Sequence, residues 1–214
     1  MQEVFYLDNH LLVACKPAGL LTQPDETGNP SFQEELKAFL KGKGERWFLE
    51  PIHRLDRPAS GLVLFARSSK ALSRLQAQMR EGKIERLYVA EIEGALFPEE
   101  GKLEHFLTHE SHRARVVSRD VPGAKRASLT YQVFGRTERS TFVRVFLETG
   151  RYHQIRAQMS AAGHSIIGDG RYGAKCPAKT IHLHCARIAF YHPVTKEIVA
   201  VESAAPFSPQ SAQH

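Results

Sequence analysis

A carboxylate flanked by two arginines is the feature of this sequence that most clearly suggests catalytic chemistry. Asp56 lies between Arg54 and Arg57 in the string His53-Arg54-Leu55-Asp56-Arg57-Pro58-Ala59-Ser60-Gly61. Two nearby cations favour the charged form of a carboxyl group, so Asp56 is expected to be ionised at neutral pH. An ionised, fixed carboxylate can act as a nucleophile or a general base. Taken alone, however, such a cluster is more often a structural salt bridge that caps a turn.

The elements around this cluster would place Asp56 at the mouth of a buried strand. The run Leu62-Val63-Leu64-Phe65-Ala66 is apolar and rich in branched and aromatic residues, which is typical of a strand buried on both faces. Before it, Pro58 and the pair Ser60-Gly61 predict a turn. The carboxylate would therefore lie in a loop whose far end is anchored in the core.

The string from His53 to Asp56, followed by Ser60-Gly61, resembles the signature of the RluA class of pseudouridine synthases, which isomerise uridine to pseudouridine in RNA. Two further blocks match the same family in the same order. Lys16-Pro17-Ala18-Gly19 resembles the K-P-x-G segment that opens its catalytic domain. The stretch from Gly150 to Gly173, with its string Arg151-Tyr152-His153-Gln154-Ile155-Arg156, resembles the third block. The resemblance covers the catalytic domain nearly from end to end.

The resemblance implies catalytic roles for three residues. Asp56 would be the nucleophile, and Arg156 would pair with it. Tyr88, in a Y-x-A…G setting with Ala90 and Gly94, would lie against the target base. The alternatives are that Tyr88 is a packing residue and that Arg156 is a charge on a helix surface.

The resemblance also implies a set of substrate-binding residues: Lys16, His53, Arg54, Arg57, Arg151 and Ile155. Among these, Arg54 would fill the space that a flipped uridine leaves, or serve as a second ion-pair partner of Asp56. Lys16 could meet a phosphate, although chemistry alone favours a solvated surface charge.

The composition fits a protein that binds a polyanion. The chain has 214 residues, 29 Lys and Arg against 23 Asp and Glu, and a formal net charge of +6. Its three cysteines are odd in number and show no C-x-x-C spacing, which favours reduced thiols in the cytoplasm. No stretch is apolar enough to span a bilayer, and the N-terminus does not resemble a signal peptide.

Clustered histidines raise the alternative of a metallohydrolase. His105, His109 and His112 have no Cys or carboxylate set that fixes a zinc geometry. If His182 and His184 lie on a strand, they share one face while Cys185 points to the other. An RNA-facing basic hairpin over residues 105–126 is therefore favoured over a metal site.

The sequence pattern predicts helices and strands along the whole chain. Ser31 and Glu34 form a capping box for one helix, Ser69 is expected to cap a second, and a third runs through Ala162 with Gly163 at its end. Strands are predicted at residues 4–14 (two, joined by a tight turn), 62–66, 85–94, 141–148, 181–188 and 197–201, with two more in the hairpin.

These observations predict an α+β fold with a mixed, mostly antiparallel central sheet flanked by helices. We expect a catalytic domain over residues 1–206, a flexible tail over 207–214 and, because the blocks begin near Met1, no N-terminal RNA-binding domain of the kind that larger members carry. Loops such as 41–50 and 105–126 would then contact the RNA.

The expected partner is ribosomal or transfer RNA. Isomerisation needs no cofactor or metal, because it involves no net redox change, and we expect a cytoplasmic monomer without an obligatory protein partner or membrane. The main alternative is a catalytically inactive RNA-binding protein of the same fold, which would not need Asp56.

Overall fold

The computed structural model describes residues 3–44 and 48–209. The chain divides into two compact units. The first unit comprises Met1–Arg86 and His184–Ala204, and the second comprises Leu87–Leu183 and Ala205–His214. Among the described residues, no helix is long and apolar enough to cross a membrane.

In chain order, the helices and strands are β1 (Val4–Leu7), β2 (Leu11–Lys16), α1 (Phe32–Gly42), β3 (Glu50–Pro51), β4 (Ser60–Ala66), α2 (Ser69–Arg80), β5 (Glu85–Glu93), β6 (Glu100–Glu110), β7 (Arg113–Val117), β8 (Lys125–Arg136), β9 (Ser140–Leu147), α3 (Gln154–Ala161), β10 (Leu183–Tyr191) and β11 (Ile198–Glu202).

The sheet of the first unit is built around β4. Strand β2 pairs with it in antiparallel fashion and β1 pairs with β2, while β10 runs parallel to β4 and β11 pairs with β10. All seven residues of β4 are buried, which confirms the strand predicted from its apolar run. The predicted turn is confirmed at Pro58, since the chain turns at Arg57-Pro58, but it is wrong for Ser60 and Gly61, which already belong to this strand.

Both helices of the first unit begin at serine caps. Ser31 accepts a hydrogen bond from the Glu34 backbone amide and donates its hydroxyl to the Glu34 carboxylate, so the capping box is confirmed. The second helix is capped by Ser68, one residue before the predicted Ser69. Of the predicted basic loop 41–50, residues 45–47 lie outside the described residues.

The second unit contains an antiparallel sheet in the order β5-β9-β8-β6-β7 and the helix α3. The basic hairpin is formed by β6 and β7, with Ser111 and His112 at positive φ (46° and 60°) in its two-residue turn. A second turn, at Pro122-Gly123, leads into β8, which pairs with the other edge of β6. The parallel β4–β10 pair, beside antiparallel pairs such as β2–β4 and β8–β9, confirms the predicted mixed, mostly antiparallel α+β fold.

The C-terminal segment packs on the second unit as far as it is described. Phe207 is buried and its ring stacks on His182 at 4.6 Å with an interplanar angle of 4°. Phe207 thus packs on the unit to which it belongs, and the flexible tail over 207–214 stays a prediction. Residues 210–214 lie outside the described residues.

Candidate active site

The loop that carries Asp56 is fixed by backbone hydrogen bonds on both sides of the carboxylate. The Ala59 amide donates to the Asp56 carbonyl at 3.0 Å and closes a turn over Arg57-Pro58. On the other side, Thr22 Oγ1 accepts from the Leu55 amide at 3.0 Å and lies 2.9 Å from the Leu55 carbonyl oxygen, to which it donates. The half-buried Asp56 side chain thus projects from a segment held at both ends.

Lys16 lies inside this part of the first unit and is completely buried. Its ammonium group donates to the carbonyl oxygens of Pro17, Leu20 and Ala59 at 2.7–2.8 Å, with Arg57 O at 3.4 Å. The side chain therefore ties the K-P-x-G segment to the Asp56 turn. The interpretation of Lys16 as a solvated surface charge is wrong, and its burial leaves no exposed surface for an RNA phosphate.

The charges of Lys16 and Asp56 interact. Burial lowers the pKa of Lys16 to about 8, and the nearby Asp56 carboxylate opposes this shift. Since the attraction is mutual, the Lys16 ammonium also favours the ionised form of Asp56. The buried Lys16 ammonium is thus one of the charges that act on the Asp56 carboxylate.

The two arginines beside Asp56 are exposed. Arg57 donates from Nε to the Gly19 carbonyl at 3.0 Å, and the Gly19 amide donates back to the Arg57 carbonyl at 2.7 Å. The side chain of Arg54 faces solvent. Both guanidinium groups are therefore available at the surface where an RNA backbone could approach Asp56.

His53 is a buried residue rather than a surface contact. Its Nε2 accepts a hydrogen bond from the Leu64 amide at 3.3 Å. Burial, with a smaller contribution from Arg86, lowers its pKa to about 3, so the ring is neutral at physiological pH. In the structure His53 thus contacts the backbone of β4 at Leu64, and its contact with the substrate stays a prediction.

Gly61 is required by the close approach of β4 and β10. Its φ is +119°, and a Cβ atom there would lie 2.3 Å from the Cys185 backbone nitrogen. Next to it, Ser60 Oγ and His184 Nδ1 are 2.8 Å apart. The Ser-Gly pair of the motif thus packs β4 against β10.

Tyr88 and Arg156 belong to the second unit. Tyr88 is buried on β5, opposite Val145 of β9. Arg156 is buried in α3 with 4% of its side chain exposed, which excludes the alternative of a surface charge. Its pairing with Asp56 stays a prediction.

Arg156 has a buried partner that the sequence analysis did not identify. Its Nε lies 2.7 Å from Oδ2 of Asp169 and its Nη2 lies 2.8 Å from Oδ1, and only 1% of the Asp169 side chain is exposed. The guanidinium also lies over the Tyr172 ring, 4.8 Å from its centroid. Asp169 and Tyr172 both follow α3 in the third sequence block. This part of the block therefore contacts Arg156, which lies in the helix.

The two remaining predicted site residues differ in exposure. Arg151 is exposed and donates from Nε to the Arg126 carbonyl at 3.0 Å. Ile155 is buried in α3, 5% exposed, and packs within the unit. Gln154 between them organises the turn before the helix, since its Oε1 accepts from Thr149 Oγ1 at 2.7 Å and from the Arg151 amide at 2.9 Å.

The histidines that suggested a metal site have other neighbours. His182 Nδ1 lies 2.5 Å from Glu91 Oε2, and His105 Nδ1 lies 3.1 Å from Gln158 Nε2. Within residues 3–44 and 48–209, no group of three or more His, Cys, Asp or Glu side chains is arranged to hold a metal ion.

Comparison with known proteins identifies the family of this chain. A family profile described as RNA pseudouridylate synthase matches residues 10–161. The protein named uncharacterized RNA pseudouridine synthase YhcT from Bacillus subtilis is 34% identical over 212 residues, covering 96% of this chain and 68% of that protein. The dual-specificity RNA pseudouridine synthase RluA from Haemophilus influenzae is 34% identical over 210 residues, covering 96% of this chain and 94% of that protein.

Solved structures show the same fold. The structure of human RNA pseudouridylate synthase domain containing 1 superposes with a TM-score of 0.80 at 21% identity, covering 98% of this chain and 86% of that one. The chain belongs to the RNA pseudouridylate synthase family. Within that family it is an RNA pseudouridine synthase of the RluA type, and therefore an isomerase.

Proposed function

We propose that this protein isomerises specific uridines in ribosomal or transfer RNA, with Asp56 as the nucleophile. The observation that carries the proposal is the setting of Asp56. This carboxylate projects from a turn fixed by backbone hydrogen bonds, next to the buried ammonium of Lys16 and between two exposed arginines. A relative named ribosomal large subunit pseudouridine synthase C, from Vibrio vulnificus, is 33% identical over 94% of this chain and supports ribosomal RNA as one substrate.

The reaction breaks the bond from N1 of the base to C1′ of the ribose and forms a bond from C5 to C1′. The C5 hydrogen leaves as a proton and N1 gains one, so atoms and electrons balance without an oxidant or an energy source. Asp56 would attack C6 of the base or C1′ of the sugar, or assist cleavage of the glycosidic bond. Each of these routes requires an ionised carboxylate, which the neighbouring cations favour.

A uridine inside a folded RNA has to leave its stack to reach Asp56. Flipping a nucleotide costs a few kcal/mol, which contacts to the flipped state must offset. The exposed side chain of Arg54 can supply one such contact by occupying the vacated space. Tyr88 would lie against the flipped base, and Arg156 would keep Asp56 charged and oriented.

The proposed enzyme works as a cytoplasmic monomer with neither a cofactor nor an obligatory protein partner. The chemistry supports the absence of a cofactor, since the substrate and product are isomers.

Mapping of pseudouridines in ribosomal and transfer RNA from cells with and without this protein tests the proposal. At least one pseudouridine should disappear in its absence, return with the wild-type protein and stay absent with Asp56→Asn. An unchanged map would contradict the proposal and favour a catalytically inactive RNA-binding protein. Rescue by the Asp56→Asn variant would contradict the role of Asp56 as the nucleophile.

A further inference from the structure

Three aromatic rings of the second unit form a ladder that reaches the surface. The Tyr152 ring stacks on His153, with centroids 3.8 Å apart and an interplanar angle of 19°. It also contacts His109 of β6, at 4.4 Å and 54°. Tyr152 is 38% exposed and His109 is exposed, whereas His153 is buried. The outer part of the ladder therefore presents aromatic surface to solvent.

The inner ring of the ladder is rigidly held. His153 precedes α3 in the left-handed region, with φ of 49°. Its Nδ1 lies 3.0 Å from the Tyr172 hydroxyl, which in turn accepts a hydrogen bond from the Ala114 amide of β7 at 2.8 Å. The Tyr172 hydroxyl therefore links the His153 ring to the backbone of β7. The ring on which Tyr152 stacks is thus fixed by two other elements of the same unit.

The turn of the hairpin connects the outer ring to cationic groups. Both the Tyr152 hydroxyl (3.4 Å) and Arg171 Nη1 (2.6 Å) donate to the His112 carbonyl. Arg113 of β7 lies over the Tyr172 ring, 5.0 Å from its centroid, and Arg115 follows two residues later on the same strand. The side chains of Arg113, Arg115 and Arg171 are all exposed. The Tyr152 hydroxyl and the Arg171 guanidinium therefore meet at one carbonyl group in the turn of the hairpin, directly before Arg113.

We propose that the exposed rings of Tyr152 and His109 form a stacking surface for an unpaired nucleobase of the RNA, with the adjacent phosphates contacted by Arg113 and Arg171. This inference rests on the proposed function and adds to it a contact for single-stranded RNA. An aromatic side chain stacks on any base, because every base has a π face, whereas bases in a duplex are occupied by their own neighbours. The surface would therefore favour substrates whose uridine lies in a loop or a bulge.

Binding of a fluorescein-labelled, uridine-rich single-stranded RNA tests the stacking surface against a duplex of the same length. Stacking contributes about 1–3 kcal/mol per base, so Tyr152→Leu should weaken single-strand binding about 5- to 150-fold and leave duplex binding unchanged. The salt dependence of RNA binding by Tyr152→Leu should equal that of the wild type, because the substitution removes no charge. Tyr152→Phe should bind like the wild type, since it keeps the ring and loses only the bond to the His112 carbonyl. Tyr191→Leu, at an exposed tyrosine of the first unit, is the matched control.

A second readout reports stacking itself. A single 2-aminopurine in the same RNA should be quenched on binding the wild type and Tyr152→Phe, and should stay bright with Tyr152→Leu. If Tyr152→Leu fails to fold, His109→Ala, at an exposed strand position, should weaken single-strand binding several-fold.

The possible failures are distinguishable. Wild-type affinity and quenching in Tyr152→Leu, or wild-type affinity in His109→Ala when Tyr152→Leu does not fold, would overturn the stacking surface. Pseudouridine formation by the wild type would leave the proposed function intact in either case. A wild-type protein that neither binds nor modifies RNA would overturn both.

Discussion

The guanidinium of Arg156 and the carboxylate of Asp169 form a buried, bidentate ion pair, with N–O distances of 2.7 and 2.8 Å. Two parallel hydrogen bonds fix the plane of the guanidinium as well as its position. Asp169 is thus a positioning partner for an arginine to which the family resemblance gives a catalytic role.

Asp169→Asn should destabilise the protein by about 3–5 kcal/mol, because it leaves the Arg156 charge buried without its counter-ion. The free energy of unfolding, measured by urea denaturation, checks this value. Glu81→Gln provides the control, since it removes an exposed ion pair to Lys83 and should change stability little. Equal losses in the free energy of unfolding would show that the buried pair contributes no more to stability than the exposed pair does.

Arg156→Met should impair isomerisation and shift the acidic limb of its pH–rate profile upward. The physical reason is that the proposed nucleophile, Asp56, would lose a cation that favours its charged form. The profile should be measured for Arg151→Met in parallel, because Arg151 is exposed and only its Nε contact to the Arg126 carbonyl would be lost. An Arg156→Met profile that overlays the wild type would remove this residue from the active site.

Lys16 should make stability depend on pH in the alkaline range. Its pKa falls from 10.5 to about 8 on folding, mainly through burial. Between these two values the unfolded chain binds the proton and the folded protein does not, so stability rises with pH there, by up to about 3 kcal/mol. Lys16→Met should lack this rise.

Urea denaturation of the wild type and of Lys16→Met at pH 7.5 and 10.5 measures the effect. The stability difference between the two proteins should grow with pH in favour of the wild type. A constant difference would mean that Lys16 keeps the same charge in the folded and unfolded states.

The β6–β7 hairpin should contribute to the salt dependence of RNA binding. If Arg113 and Arg115 each contact a phosphate, their joint replacement by glutamine should reduce the slope of log K against log salt by about 1.4, at about 0.7 per contact for a single strand. Titrations at several salt concentrations give the slope, and Arg139→Gln, at an exposed position after β8, gives a reference for removing one surface charge. An unchanged slope in the double variant would show that the hairpin does not touch RNA.

Local patterns predicted much of the fold, because their causes lie within a few residues. The capping box of Ser31 and Glu34 and the apolar run of β4 both depend on near neighbours. Even the error at Ser69 has a local cause, since the adjacent Ser68 offers the same hydroxyl one residue earlier.

The sequence did not predict features that depend on distant backbone atoms. Lys16 resembles a surface lysine until the carbonyl groups of Leu20 and Ala59 surround it. In the sequence Gly61 resembles a turn residue, because its close approach to Cys185 exists only in the folded sheet. Likewise, the Asp169 carboxylate meets Arg156 only after the chain returns from α3.

The most direct test of the central claim is tritium release from RNA labelled at C5 of uridine, with wild-type protein and Asp56→Asn. The substitution keeps the size of the side chain but removes its charge and its nucleophilic oxygen. We predict release by the wild type, none above background by Asp56→Asn, and similar RNA affinity for both. Release by Asp56→Asn at a rate close to wild type would contradict the assignment of Asp56 as the nucleophile.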